Sequence, residues 1–293
     1  MLSVKRLSKK MDGWPTLCEV SFEIEQGSIV GLLGRNGAGK TTLLRTMTGI
    51  LDPEEGCVEF EGKDVHRFPE YRRQFLYVPD STEVFVGYTP DEWADFYAAI
   101  YPAFDKAYYG QLMERFELPR RKKIKHFSKG MKALTAMIMA SSARVRLILL
   151  DEPTNGLDPI VKKQVLAYLV EEVAETGVSL IISSHHLEEI ERIADTVIWL
   201  KNGRIEEVMV LEQLKNSLHK LQVVFKDEAP AALLEMPNVR VISKVGRVYT
   251  VLIEESETDT VRLFEVEQPL LLEKMPIQLE DVYVFKLGGE RHV

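Results

Sequence analysis

Residues 34–41 read Gly-Arg-Asn-Gly-Ala-Gly-Lys-Thr, which is the spacing GxxxxGK followed by a hydroxyl residue. That order suits the cradling of phosphate groups. The run follows an apolar stretch (Ile29, Val30, Leu32, Leu33) and opens helix-like sequence over 42–47. Backbone N–H groups of Asn36, Gly37, Ala38, Gly39 and Thr42 would therefore converge on phosphate oxygens at a helix start. Lys40 would add a point charge there, and the Thr41 hydroxyl a ligand for Mg²⁺. A merely structural glycine turn is the bland alternative, and the strand-then-helix context argues against it.

A phosphate-bound Mg²⁺ also needs a carboxylate. LILLD at 147–151 places Asp151 at the C-terminal end of a buried strand, where ligands of open α/β sheets gather. Glu152 follows it and has two readings: general base toward an attacking water, or cap of the turn that Pro153 begins. SLIISS at 179–184 then ends beside His185, on the same sheet edge, with an imidazole placed to reach a γ-phosphate oxygen or the water. His186 reads as the start of an exposed helix.

These groups need a rigid frame. Residues 29–33, 147–151 and 179–184 are apolar without alternation, as in strands covered on both faces, and helix-like sequence flanks each. The expected fold class is α/β with a mainly parallel sheet. EVSFEIEQG alternates like a half-buried strand, and CVEFEGKDV at 57–65 adds a hairpin-like element. Residues 85–116 hold ten of the chain's 25 aromatics, which marks an inserted helical unit. It starts at Thr89-Pro90-Asp91-Glu92, a capping pattern. Those aromatics read as core, with an exposed groove for a partner as the second reading. Beyond about residue 210 the order strand, helix, strand, strand, helix, strand suits a small split βαβ sheet, closed by a short helix from Leu279.

The totals exclude several classes. No stretch approaches the roughly 20 apolar residues that span a bilayer, and the first ten residues lack a signal-peptide core, so the expected location is cytoplasmic. Cys18 and Cys57 are far apart and read as packing residues. The net charge of −8 argues against nucleic acid as a partner. Arg120, Arg121, Lys122 and Lys123 read as a solvated loop first and an RNA contact second.

In their order these motifs resemble the ATP-binding cassette ATPases of ABC transporters. The resemblance covers residues 1 to about 210. Lys40 and Thr41 match the first phosphate motif, Asp151 and Glu152 match LLLDEP, and SerSerHisHisLeuGluGlu selects His185 over His186. PheSerLysGlyMet, from Phe127, is similar to the family signature and gives Ser128 and Gly130; Asn155-Gly156-Leu157-Asp158 resembles the loop at a dimer seam. The resemblance implies a P-loop NTPase core at 1–210 with an antiparallel β subdomain and a helical subdomain at about 85–145. A small α+β accessory domain at 211–293 would follow.

It further implies ATP and Mg²⁺, a head-to-tail homodimer or heterodimer, separately encoded transmembrane permease subunits, and a peripheral position on the inner face of the membrane. SSHHLEEIERIAD and IQLEDVYVFKL resemble bacterial export-type (ABC-2) subunits, the YtrB-like branch among them. A soluble cassette acting on ribosomes, DNA or another non-membrane partner is the alternative; such relatives usually carry two cassettes or very long coiled coils, and this chain has neither. Three positions depart from the family. Asp80 stands where Gln is usual and would reach less far toward Mg²⁺. The usual adenine-stacking Tyr falls near Met11, so Trp14 either substitutes or belongs to the hairpin core. Lys129 and Met131 replace commoner signature residues, and Lys129 adds positive charge near a phosphate.

Overall fold

The opening alternation, with Val4 and Leu7 inward and charged residues between, makes a half-buried strand, and the chain then returns on itself at Asp12-Gly13. The computed structural model describes residues 1–80, 85–254 and 259–287. In chain order the first elements are β1 (Leu2–Met11), β2 (Trp14–Ile24), β3 (Ile29–Leu33), α1 (Lys40–Met47), β4 (Glu55–Phe60), β5 (Lys63–Asp64) and β6 (Phe75–Val78). Helices α2 (Pro90–Ile100), α3 (Lys106–Arg115) and α4 (Lys129–Ser142) form the inserted unit. There follow β7 (Leu147–Asp151), α5 (Pro159–Thr176), β8 (Ser179–Ser184), α6 (Leu187–Glu191), β9 (Thr196–Lys201) and β10 (Arg204–Val210).

Two sheets share one core. β2-β1-β4-β5 is antiparallel, and the second sheet runs β10-β9-β3-β8-β7-β6, with parallel pairing from β9 through β6. Val4, Leu7 and Phe60 of the first pack in the same buried cluster as Leu32, Leu43 and Leu149 around the second. Every residue of β3, β7 and β8 is buried, which is why their sequences lack alternation. The C-terminal ends of those strands are thus held rigidly at one edge.

In the helical unit the Thr89 hydroxyl accepts the Glu92 N–H while the Glu92 carboxylate accepts the Thr89 N–H, the reciprocal cap its sequence predicts. Phe85 stacks on Trp93 at 4.1 Å, and Tyr97 meets the Trp93 ring edge-on. Trp93 and Tyr109 are buried, whereas Tyr88 and Phe96 are exposed, so the aromatics divide between core and surface. Arg120 to Lys123 are exposed, with Arg120 paired to Asp91, in line with a solvated loop.

The chain divides into two compact units, 1–208 and 209–293, the division falling near the end of β10. The second unit contains α7 (Leu211–Ser217), β11 (Leu218–Val224), α8 (Ala231–Leu234), β12 (Val239–Val245), β13 (Val248–Glu254), α9 (Thr260–Val266), β14 (Leu271–Met275) and α10 (Leu279–Leu287). Its sheet order is β12-β13-β11-β14, antiparallel throughout, around Leu221, Val251 and Phe264. β13 lies between β11 and β12, which makes this a split βαβ arrangement. Among the described residues no helix is long and apolar enough to cross a membrane.

Candidate functional site

The loop from β3 to α1 can wind tightly because its glycines tolerate what other residues do not. Gly39 has φ +106°, and a Cβ there would stand 2.9 Å from the Thr16 carbonyl oxygen. The loop leaves an open cleft of ≈ 390 Å³ above the C-terminal ends of the parallel strands. Asn36, Gly37, Gly39, Lys40, Thr41 and Thr42 line it. So do Asp80, Glu152 and His185. Ala38 is buried behind the loop.

Lys40 is only 6% exposed. Its ammonium donates to the Gly34 carbonyl oxygen at 2.6 Å and lies 3.2 Å from Glu152 Oε1. The other carboxylate oxygen of Glu152 is 2.9 Å from His185 Nδ1. One carboxylate therefore links the cradle's charge to the imidazole. Glu152 itself has φ +47°, left-handed backbone that costs a non-glycine residue about 1–3 kcal/mol. Its N–H donates to Ser183 Oγ (2.9 Å) and to the Ser183 carbonyl oxygen (3.2 Å), and these bonds hold the turn.

Asp151 lies beneath the cleft, 4% exposed. Ser183 Oγ donates to its Oδ1 at 2.6 Å and the Tyr77 hydroxyl to its Oδ2 at 2.9 Å. Burial pushes the Tyr77 phenol up to about 12, so it stays a proton donor at neutral pH. Arg45 Nε in turn donates to the Tyr77 oxygen at 3.4 Å. Sequence reasoning missed both clamps. The signals were a polar Ser near the end of an apolar strand and the Tyr of YVP. Ser183→Ala removes the partner of a buried carboxylate oxygen and of the Glu152 N–H. It is expected to lower unfolding free energy by about 1–3 kcal/mol, read from urea denaturation.

The remaining candidates lie elsewhere. Trp14 is 77% exposed at the β1–β2 turn, next but one to the cleft-lining Thr16, so the hairpin-core reading does not hold. Ser128 caps α4, its hydroxyl accepting the Met131 N–H at 3.2 Å, and is exposed outside the cleft. Asp158 caps α5 through the N–H groups of Ile160 and Val161. A Cβ on Gly130 would come 2.9 Å from Val161 Cγ1, so the starts of α4 and α5 pack side by side. Beside them Ile160 is 74% exposed.

The arrangement offers N–H groups and an ammonium to phosphate oxygens, and a carboxylate–imidazole pair to a water. Thr41 and Asp151 are hard oxygen donors of the kind Mg²⁺ prefers. Among the described residues no group of three His, Cys, Asp or Glu is gathered to cage a metal by itself. A magnesium ion arriving on a polyphosphate fits this donor set.

Comparison with known proteins agrees with that chemistry. A family model described as "ABC transporter" matches residues 17–155. One described as "AAA domain, putative AbiEii toxin, Type IV TA system" matches 123–191. The chain is 37% identical over 291 residues to the ABC transporter ATP-binding protein YtrB of Bacillus subtilis (strain 168), covering 99% of each. It is 36% identical over 221 residues to the ABC-type transporter ATP-binding protein EcsA of the same organism, covering 73% of this chain and 89% of EcsA. A solved "ATP binding subunit of ABC transporter" superposes with a TM-score of 0.66 at 33% identity, over 74% of this chain and 92% of that one.

Proposed function

The chain belongs to the ABC transporter ATP-binding family, and we propose that it hydrolyses Mg-ATP in a head-to-tail dimer to drive export through separately encoded membrane subunits. Its relatives are ATP-binding subunits of ABC transporters, and ATPase activity belongs to the cassette they share. The finer reading rests on one observation: the chain carries two phosphate-type surfaces, the Lys40 cleft and the exposed Ser128 helix start, and the second does not line the first.

Within the cleft, Lys40 and the N–H groups of residues 36–42 hold the β- and γ-phosphates. Trp14 is exposed and near enough to Thr16 to lie against the adenine. Thr41 and Asp151, with Asp80, would hold Mg²⁺, and the ion would supply neutralisation of phosphate charge there. Glu152 accepts a proton from the water whose oxygen bonds to the γ-phosphorus, and the bond from that phosphorus to ADP breaks. His185, bonded to the same carboxylate, orients Glu152 and donates toward a γ-phosphate oxygen.

A second copy placed head to tail would bring its Ser128 and Gly130 over this nucleotide, with Asp158 and the exposed Ile160 at the seam. Hydrolysis reopens the seam, and the helical unit at about 85–145 passes the motion to membrane subunits at the inner face. Export is the direction carried by likeness to export-type subunits. The partner copy is either identical or a related chain. The unit from 209 on serves as an accessory domain.

Purification of the tagged chain from native membranes tests the reading. The expected result is co-recovery of hydrophobic multi-span proteins in stable ratio. Recovery with ribosomes in their place would favour the soluble-cassette alternative.

A further inference from the structure

Behind Glu152 lies a second cavity, of ≈ 290 Å³, which shares Asp80, Glu152 and Asn155 with the catalytic cleft. Its far wall is the first turns of α4, where Lys129 and Lys132 stand three residues apart and so on one helix face. Neither ammonium has an ion-pair or hydrogen-bond partner among the described residues. Ala133 and Ala136 leave room beneath them.

Lys129, read from sequence as positive charge near a phosphate, turns its side chain toward a loop of its own chain. Its ammonium lies against the chain's own Asn155–Leu157 loop, close enough that a Cβ on Gly156 would come within 2.3 Å of Nζ. Its ammonium thus borders the cavity of its own chain. On the shared wall Glu152 faces Lys40 and His185, whereas Asp80 has no ion-pair partner among the described residues. Two cations without an ion-pair partner among the described residues therefore line a space that borders the place where a phosphate anion would be made.

We propose that this second cavity is a holding site for the inorganic phosphate released by hydrolysis, with Lys129 and Lys132 as its cationic ligands. The inference rests on the ATPase reading above and adds a route to it. Phosphate leaving Lys40 passes the Asp80–Asn155 wall, is held in the cell of two lysines, and departs without re-crossing the nucleotide. Two partly exposed ammonium groups give a weak, reversible site, as release requires.

The test uses the full chain loaded with ADP, titrated with inorganic phosphate by calorimetry. Lys132→Ala and Lys132→Gln are expected to weaken phosphate binding by about fivefold, with Lys132→Arg restoring it, while ADP affinity stays within about twofold of wild type. Equal phosphate affinity in wild type and Lys132→Ala, or no phosphate binding by wild type, overturns the proposal. Failure of wild type to bind ADP strikes the nucleotide reading itself and takes this one with it.

Discussion

Glu152→Gln is expected to lower steady ATP turnover by about 10²–10⁴-fold while ATP still binds and holds two copies together. The substitution is isosteric. Its amide oxygen can still face Lys40, 3.2 Å from Oε1 in the native side chain, and its nitrogen can still meet His185. What it loses is the capacity to accept a proton from water. Binding and closure therefore proceed and the chemical step stalls, so an ATP-dependent dimer should accumulate. Phosphate release measured beside size-exclusion chromatography with and without ATP reads both halves. Turnover at the normal rate would place the base on another residue.

Lys40→Ala is expected to fail one step earlier. The native ammonium is 6% exposed and faces both the Gly34 carbonyl and Glu152. Removing it takes the cradle's one lysine from the phosphates and leaves the Glu152 carboxylate without its cation. Truncating one partner of a buried, hydrogen-bonded charge pair costs about 2–5 kcal/mol. That is roughly thirtyfold to several thousandfold in Kd for ATP. Fluorescent-nucleotide titration checks it. The two variants should separate: Lys40→Ala loses binding and turnover together, Glu152→Gln only turnover. A Lys40→Ala chain that binds ATP as wild type would remove the 34–42 loop from the account.

What the sequence made legible was local. GxxxxGK forces a loop and a helix start at fixed offsets, so the cradle and Lys40 were readable from spacing, and the unbroken apolar runs identified the buried strands. Asp151 and Glu152 followed from their place at a strand end. The clamps on Asp151 were not readable, because they depend on which strands lie side by side. Ser183 is the register partner of Asp151 across β7–β8, and Tyr77 comes from β6 on the other flank. Neither pairing is encoded within the stretch that contains either residue.

The same limit applies at the surface. Trp14 is exposed because its hairpin turns at Asp12-Gly13 and carries the ring away from the core. Lys129 lies on its own chain's loop because Gly130 lets α4 pack against Val161. In the second unit the order of strands and helices already suited a split βαβ sheet, and β13 does lie between β11 and β12.

The central claim is that each copy completes the other's nucleotide site, and the ATP-loaded structure of Glu152→Gln tests it most directly. The expected result is Ser128 Oγ at hydrogen-bond distance, about 2.5–3.0 Å, from a γ-phosphate oxygen held by Lys40 of a second copy. An ATP-loaded dimer in which Ser128 stands far from both triphosphates would contradict it.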